Sequence, residues 1–205
     1  MKSKKIKISV VVLLFIITII SCIDPIHPTN QYLQHLGTLV VASILFWDIK
    51  KMKLSLFAFS FVGIFILIHI IGARWIYSEV PYNVFSKDYL GINLELLFNS
   101  DRNHYDRFVH FIFGVLFIPC LFEIFKYKFK NYLIALSLAW FSVQTFSMLY
   151  EVFEWLLTVF MDSAEAKKYN GQQGDFWDAQ KDMALALIGS SITSVIYYYK
   201  RKNID

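Results

Sequence analysis

Six long apolar stretches, separated by short lysine clusters or polar connections, constrain the fold of this 205-residue chain more than any other feature. A hydrocarbon core about 30 Å thick requires roughly 17–25 helical residues to cross it, and most of the stretches reach that length. They cover residues 8–23, 32–47, 54–72, 107–125, 132–157 and 183–199. The sequence lacks the two-fold alternation that is typical of membrane strands. We therefore predict one all-α domain over residues 1–205, a polytopic membrane helix bundle with about six transmembrane helices.

The composition agrees with a membrane protein. Hydrophobic residues make up 57% of the chain, whereas apolar usage in an ordinary soluble domain is nearer half and includes glycine. The net charge of +4 is mild, and the lysines form short clusters rather than a continuous basic face. We therefore expect the lipid bilayer as a partner and no nucleic acid.

The lysine and arginine residues predict the orientation of the helices. Of the 20 basic residues, 13 lie close to the ends of apolar stretches in one alternate set of connections, at Lys2, Lys4, Lys5, Lys7, Lys50, Lys51, Lys53, Lys126, Lys128, Lys130, Lys200, Arg201 and Lys202. Cytoplasmic connections carry such an excess. We therefore predict that both termini are cytoplasmic.

The first stretch allows two interpretations. Its lysine-rich start, apolar run and Ile20-Ser21-Cys22 ending fit a lipoprotein-type signal that is cleaved before Cys22. The stretch is also long enough to remain as a signal anchor that spans the membrane. Cleavage would leave the rest of the topology unchanged.

The acidic residues show the opposite bias, since 13 of 16 fall outside or at outer helix ends and only Asp48, Glu123 and Asp205 fall on the cytoplasmic side. Acidic residues contribute little to topology. We therefore interpret their distribution as the trace of a functional site.

Three helical motifs carry the ionisable residues of this predicted site. Residues three or four positions apart share one face of a helix, which applies to Asp106 and His110, to Glu151 and Glu154, and to Asp178 and Asp182. Because charged side chains in lipid are costly, these six candidate catalytic residues should face a shared polar cavity. Candidate substrate contacts at the same membrane face are Arg74, Glu79, Arg102, His104 and Asp175.

Two interpretations of this cluster remain open. Arg74, Arg107 and Lys181 could neutralise the carboxylates in an ion-pair network that only fixes helix packing. Alternatively, the carboxylates outnumber these cations, and a metal, a shared proton or a cationic ligand completes the balance. Candidate metal ligands are Asp106, His110, Glu154 and Asp178, and this oxygen-rich set suits Mg²⁺ or Mn²⁺ at least as well as Zn²⁺.

Several motifs resemble a known family. The segments RNHYDRFVHFIFG, YEVFEW and QGDFWDAQKDMALALIG, with RWIYSEVPY upstream, resemble the YjdF-type bacterial inner-membrane proteins, whose function is unknown. More distantly, Asp106-x-x-x-His110, Glu151 and Asp178 are similar to the VanZ-like proteins, which are linked to glycopeptide resistance. Glu154 and Asp182 depart from that pattern, in which Gln and Asn are frequent. The first resemblance implies a multi-pass protein of the bacterial cytoplasmic (inner) membrane. Neither resemblance implies a particular reaction.

Three functions follow as expectations. The first is a metal-assisted hydrolase or transferase that acts on a lipid-linked or envelope substrate. The second is a small transporter that uses the carboxylates for proton or ion coupling, although no broken helix or inverted repeat is visible. The third is a non-catalytic envelope protein whose polar cluster is structural.

Overall fold

The computed structural model describes residues 2–202, so Asp205, expected on the cytoplasmic side, lies outside the described residues. Within this range the chain is helical and has no strand, which confirms the all-α fold class. The helices are α1 (Lys2–Ser21), α2 (Pro28–Lys51), α3 (Leu56–Trp75), α4 (Tyr82–Leu90), α5 (Leu94–Phe98), α6 (Tyr105–Phe129), α7 (Tyr132–Phe160), α8 (Ser163–Asn170) and α9 (Asp178–Lys202). A short 3-10 helix, Tyr77–Glu79, lies between α3 and α4.

The long helices overlap the six apolar stretches and mostly extend beyond them into polar residues. Helix α6 begins at Tyr105, so Asp106 lies in its first turn, where the helix dipole favours a carboxylate. At the opposite end of the bundle, Lys50 and Lys51 lie in the last turn of α2, and lysines also occupy the last turn of α6. Hydropathy alone misses these turns because polar side chains continue the helix towards water.

Four of the described helices, α2, α3, α6 and α7, are long and apolar enough to cross a membrane. This supports a helical membrane bundle. The exact count of six spans, which would add α1 and α9, and the cytoplasmic location of both termini stay predictions.

Helix α6 lies at the centre of the bundle and packs against α3, α7 and α9. Two glycines allow α6 and α9 to approach until their backbones touch. A Cβ atom on Gly114 would lie 2.3 Å from the carbonyl oxygen of Ala186, and one on Gly189 would lie 2.3 Å from that of Phe111. Small residues permit such close approach between membrane helices, and here they bring the polar start of α9 beside that of α6.

The end of the bundle where α1 begins and α2 ends is fixed by a buried ion pair. Lys7 Nζ lies 2.6 Å from Asp48 Oδ2 and also donates to the Leu54 carbonyl, while Asp48 Oδ1 accepts from the backbone N–H groups of Lys53 and Leu54. Neither side chain of the pair is exposed. This contact joins the first three helices at the end opposite to the start of α6.

The two long connections at the other end contain short helices. Residues 76–104 form the 3-10 helix, α4 and α5, and residues 161–177 contain α8. They meet where Arg102 of the first connection donates to the carbonyl of Gln172 in the second. Together they cover the ends of the helices that carry the predicted site.

Candidate functional site

Three helix ends converge on a buried group of ionisable side chains. The His110 Nε2 atom on α6 lies 3.7 Å from Asp106 Oδ1 and 3.4 Å from Glu151 Oε1 on α7. Asp182, one turn into α9, completes the group, because one ligand atom from each of Asp106, His110 and Asp182 lies within 4.8 Å of the other two. We call these four residues, Asp106, His110, Glu151 and Asp182, the inner cluster.

The inner cluster is withdrawn from solvent and incompletely hydrogen bonded. Each of its residues is at most 8% exposed. Among the described residues, Glu151 Oε1 and Asp182 Oδ1 have no hydrogen-bond partner. Buried polar atoms without a partner are uncommon and costly, so they call for a ligand, a water molecule or a proton.

Glu154 lies beside the inner cluster but in a different environment. Its side chain is within hydrogen-bonding reach of Tyr150, which also reaches Tyr169 on α8. The Asn170 side chain donates to the Glu154 backbone carbonyl at 3.1 Å. Glu154 is therefore held by hydroxyl and amide groups, and it is not among the residues whose ligand atoms converge with His110.

A second layer consists of ion pairs that join the start of α6 and the connection before it to the start of α9 and the connection before that helix. Arg102 Nη2 lies 2.5 Å from Asp178 Oδ1, and Arg107 Nη2 lies 3.5 Å from the same oxygen. Arg107 also pairs with Asp175, to which Lys181 donates at 2.6 Å. We call these five residues, Arg102, Arg107, Lys181, Asp175 and Asp178, the outer ion pairs.

The two layers divide the charges unevenly. All three cations of the outer ion pairs contact Asp175 or Asp178. Among the described residues, the carboxyl groups of Asp106, Glu151 and Asp182 have one imidazole and no lysine or arginine within ion-pair distance, with Glu154 close by. In direct contact, the inner cluster therefore has fewer basic groups than carboxyl groups.

Three predicted substrate contacts lie in other interactions. Arg74 donates to the backbone carbonyls of Ser21 and Asp24, at and just after the end of α1, rather than to a carboxylate. Glu79 contacts His27 at 3.0 Å near the surface. The backbone N–H of His104 donates to the Tyr82 hydroxyl, which fixes the start of α6.

Three residues beside the site, His69, Tyr77 and Tyr150, have no role in the sequence-based prediction. His69 contacts the Tyr77 hydroxyl through Nδ1 and the Gln34 carbonyl, 3.0 Å away, through Nε2. Tyr150 precedes Glu154 by four residues, and this helical spacing is the signal that identifies it. His69 and Tyr77 carry no such local signal, because an irregular turn between α3 and the 3-10 helix brings them together.

Burial and nearby charges shift the pKa values of ionisable groups in the two long connections. Lys181 beside Asp175 holds the pKa of that carboxyl at about 2, with help from the backbone N–H of Trp177 and from Arg107. Burial lowers the pKa of His104, and the nearby arginines act in the same direction. Burial raises the pKa of the Tyr77 hydroxyl well above its usual range, and Asp106 adds to this shift. At neutral pH, His104 and Tyr77 are thus uncharged and Asp175 is ionised.

An apolar cavity of about 300 Å³ adjoins the inner cluster. Its lining comes from α2, α3, α6, α7 and the 3-10 helix, at Gly37, Val40, Val41, Ile44, Phe65, His69, Tyr77, Asp106, Val109, His110, Phe113, Phe117, Phe146, Ser147 and Tyr150. In the described chain, α2 and α7 make no extensive contact with each other, although α3 and α6 pack together between them. We call this cavity the lateral groove, since α2 and α7 line it on opposite sides of α3 and α6.

Comparison with known proteins identifies a relative in the inner membrane of a bacterium. The chain is 27% identical over 164 residues to the "Inner membrane protein YjdF" of Escherichia coli (strain K12), an alignment that covers 78% of this chain and 72% of that protein. No solved structure matches the chain. The relative and the apolar helices support a multi-pass protein of the inner membrane, while the similarity to VanZ-like proteins stays a prediction.

A family model covers nearly the whole chain. The model described as "Predicted membrane protein (DUF2238)" matches residues 6–203, which include all the motifs quoted above. The resemblance to YjdF-type proteins is therefore confirmed. The chain belongs to the DUF2238 family of membrane proteins.

Proposed function

We propose that this protein is a metal-assisted hydrolase or transferase that acts on a lipid-linked or envelope substrate. The observation that carries the proposal is the convergence of ligand atoms from Asp106, His110 and Asp182 within 4.8 Å in a buried position. Two ligands bound to one Mg²⁺ or Mn²⁺ ion are at most about 4.2 Å apart, so small side-chain rotations would close the set.

The proposed ligand set revises the one expected from sequence. Asp182 replaces Asp178 and Glu154, because Asp178 is paired with arginines and Glu154 lies beside Tyr150. A site of two carboxylates and one imidazole suits Mn²⁺, Zn²⁺ or Mg²⁺. A divalent ion would also supply the positive charge that the inner cluster lacks.

The remaining residues of the site suggest a division of roles. A bound metal ion lowers the pKa of its water and so provides a nucleophile at neutral pH. Glu151 Oε1 has no hydrogen-bond partner and faces His110 at 3.4 Å, so it is suitably placed to accept a proton from such a water. Arg102 and Arg107 would stabilise negative charge on the substrate.

Metal analysis of the purified chain tests the proposal. We expect about one ion per chain after exposure to Mn²⁺, Zn²⁺ or Mg²⁺ and removal of excess, since one set of ligands converges. His110→Ala and Asp182→Asn should lose the ion. The matched controls, His35→Ala on α2 and Asp175→Asn in the outer ion pairs, should retain it. Wild-type chain without bound metal, or full retention by both site variants, would rule the proposal out.

A proton- or ion-coupled transporter is the second candidate, and the excess of carboxyl groups in and beside the inner cluster favours it specifically. Crowded carboxyl groups can share protons instead of binding a metal. Under that function, metal would be absent and liposomes containing the chain would carry a proton flux that Glu154→Gln abolishes. Glu79→Gln, on an exposed carboxylate paired with His27, is the matched control that should leave the flux unchanged.

A further inference from the structure

We propose that the lateral groove binds the hydrocarbon chain of a phosphate-bearing membrane lipid, whose head group lies between the inner cluster and the outer ion pairs. This inference names the substrate class for the function proposed above and rests on it for the chemistry at the head group. The binding itself can be tested separately.

The walls of the lateral groove suit a hydrocarbon chain. Aliphatic and aromatic side chains dominate the lining, and Val40 and Phe146, which are 70% and 51% exposed, form parts of the rim. Ligand cavities of about 300–1,000 Å³ bury most of a small ligand. Because α2 and α7 do not close over the groove, a lipid could enter from the bilayer without crossing water.

The depth of the groove matches one leaflet. The lining on α6 extends from Asp106 to Phe117, a distance of about 16 Å at about 1.5 Å per residue. Half of a hydrocarbon core is about 15 Å thick. A lipid of the leaflet at the Asp106 end could therefore lie in the groove at its normal depth, with its polar end beside His110.

Charge complementarity favours an anionic head group. The outer ion pairs combine three cations with two carboxylates. The Nε atoms of Arg102 and Arg107 are buried and have no hydrogen-bond partner within the described chain. Guanidinium groups bind phosphate through short, charge-assisted hydrogen bonds, and a metal ion in the inner cluster would bind the remaining phosphate oxygens. An apolar helix from a second protein would offer none of these contacts.

Photolabelling with hexadecyl phosphate that carries a diazirine at the end of its chain tests the proposal in the detergent-solubilised full chain. We expect labels at the deep end of the groove, on Ile44, Phe113 or Phe117. Unlabelled hexadecyl phosphate should compete at least about tenfold better than octyl phosphate or hexadecyl glucoside, a difference equivalent to about 1.4 kcal/mol. Equal competition by the glucoside, or labels spread over lipid-facing side chains, would overturn the proposal.

Two variants of α2 provide a second test of the lipid site. Val41→Trp places a large ring in the groove and should reduce labelling about tenfold, which corresponds to a loss of about 1.4 kcal/mol in binding free energy. Leu39→Trp makes a similar change on a side chain of α2 that is 66% exposed and outside the lining, so its labelling should match the wild type. Equal labelling of the two variants would refute binding of the hydrocarbon chain in the lateral groove. If Val41→Trp does not fold, the wild-type competition series decides alone.

The outcomes separate this inference from the metal proposal. If the wild-type chain binds no metal but is still labelled at the deep end of the groove, the metal proposal is refuted and the lipid site is supported. If the chain binds metal but the labels are spread over lipid-facing side chains, only the lipid site is refuted.

Discussion

The contact between α6 and α9 allows a prediction about how the fold holds the inner cluster together. In Gly189→Ala, the new methyl group would lie 2.3 Å from the Phe111 carbonyl oxygen and 3.1 Å from the Val115 backbone nitrogen. Ordinary contacts between heavy atoms are about 3.5 Å, so α6 and α9 must separate by about 1 Å. Overpacking of this kind costs about 1–3 kcal/mol, which exceeds the gain of up to about 1 kcal/mol from replacing a helical glycine by alanine.

Thermal unfolding in detergent, followed by intrinsic fluorescence, measures this cost. A domain of this size loses about 2–4 °C in Tm per kcal/mol, so Gly189→Ala should unfold several degrees below the wild type. Gly37→Ala is the matched control, because its methyl group would lie 3.6 Å from the nearest atom, His69 Nε2, in ordinary contact. A Tm for Gly189→Ala equal to or above that of Gly37→Ala would refute the close approach of α6 and α9.

Two further predictions concern ion pairs at opposite ends of the bundle. Lys7→Met or Asp48→Leu alone should destabilise the chain by about 3–5 kcal/mol, because each leaves a buried charge unpaired, whereas the double variant should lose less; denaturant titration of the three variants checks this order. The carboxyl of Asp175, whose pKa is lowered to about 2 by Lys181 and other donors, should contribute stability that is present above its unfolded pKa of about 3.9 and is lost as pH falls towards 2. Comparison of Asp175→Asn with the wild type from pH 2 to 6 should show a difference that disappears at the acidic end, and a constant difference would contradict the shift.

The sequence predicts contacts within a helix well and contacts between helices poorly. The spacing of Asp106 and His110 places them on one helix face, and the structure brings these side chains to 3.7 Å. The pairing of Arg102 with Asp178, 76 positions later, depends on two connections that no local pattern encodes. Arg74 illustrates the same limit, because its partners are carbonyl groups that become available only where α1 ends beside α3.

The energetics of the inner cluster argue against a purely structural role. A structural network would gain most by pairing each carboxylate with a cation, yet Arg102, Arg107 and Lys181 all contact the outer aspartates. Replacing buried ionic groups by apolar residues is often neutral or stabilising, so carboxyl groups without cations at Glu151 and Asp182 reduce stability unless something binds them. Buried polar atoms without a partner are uncommon, and a bound ligand is one explanation for them. The close packing of α6 and α9 holds these groups together despite that cost, which supports the proposed ligand site over a purely structural network.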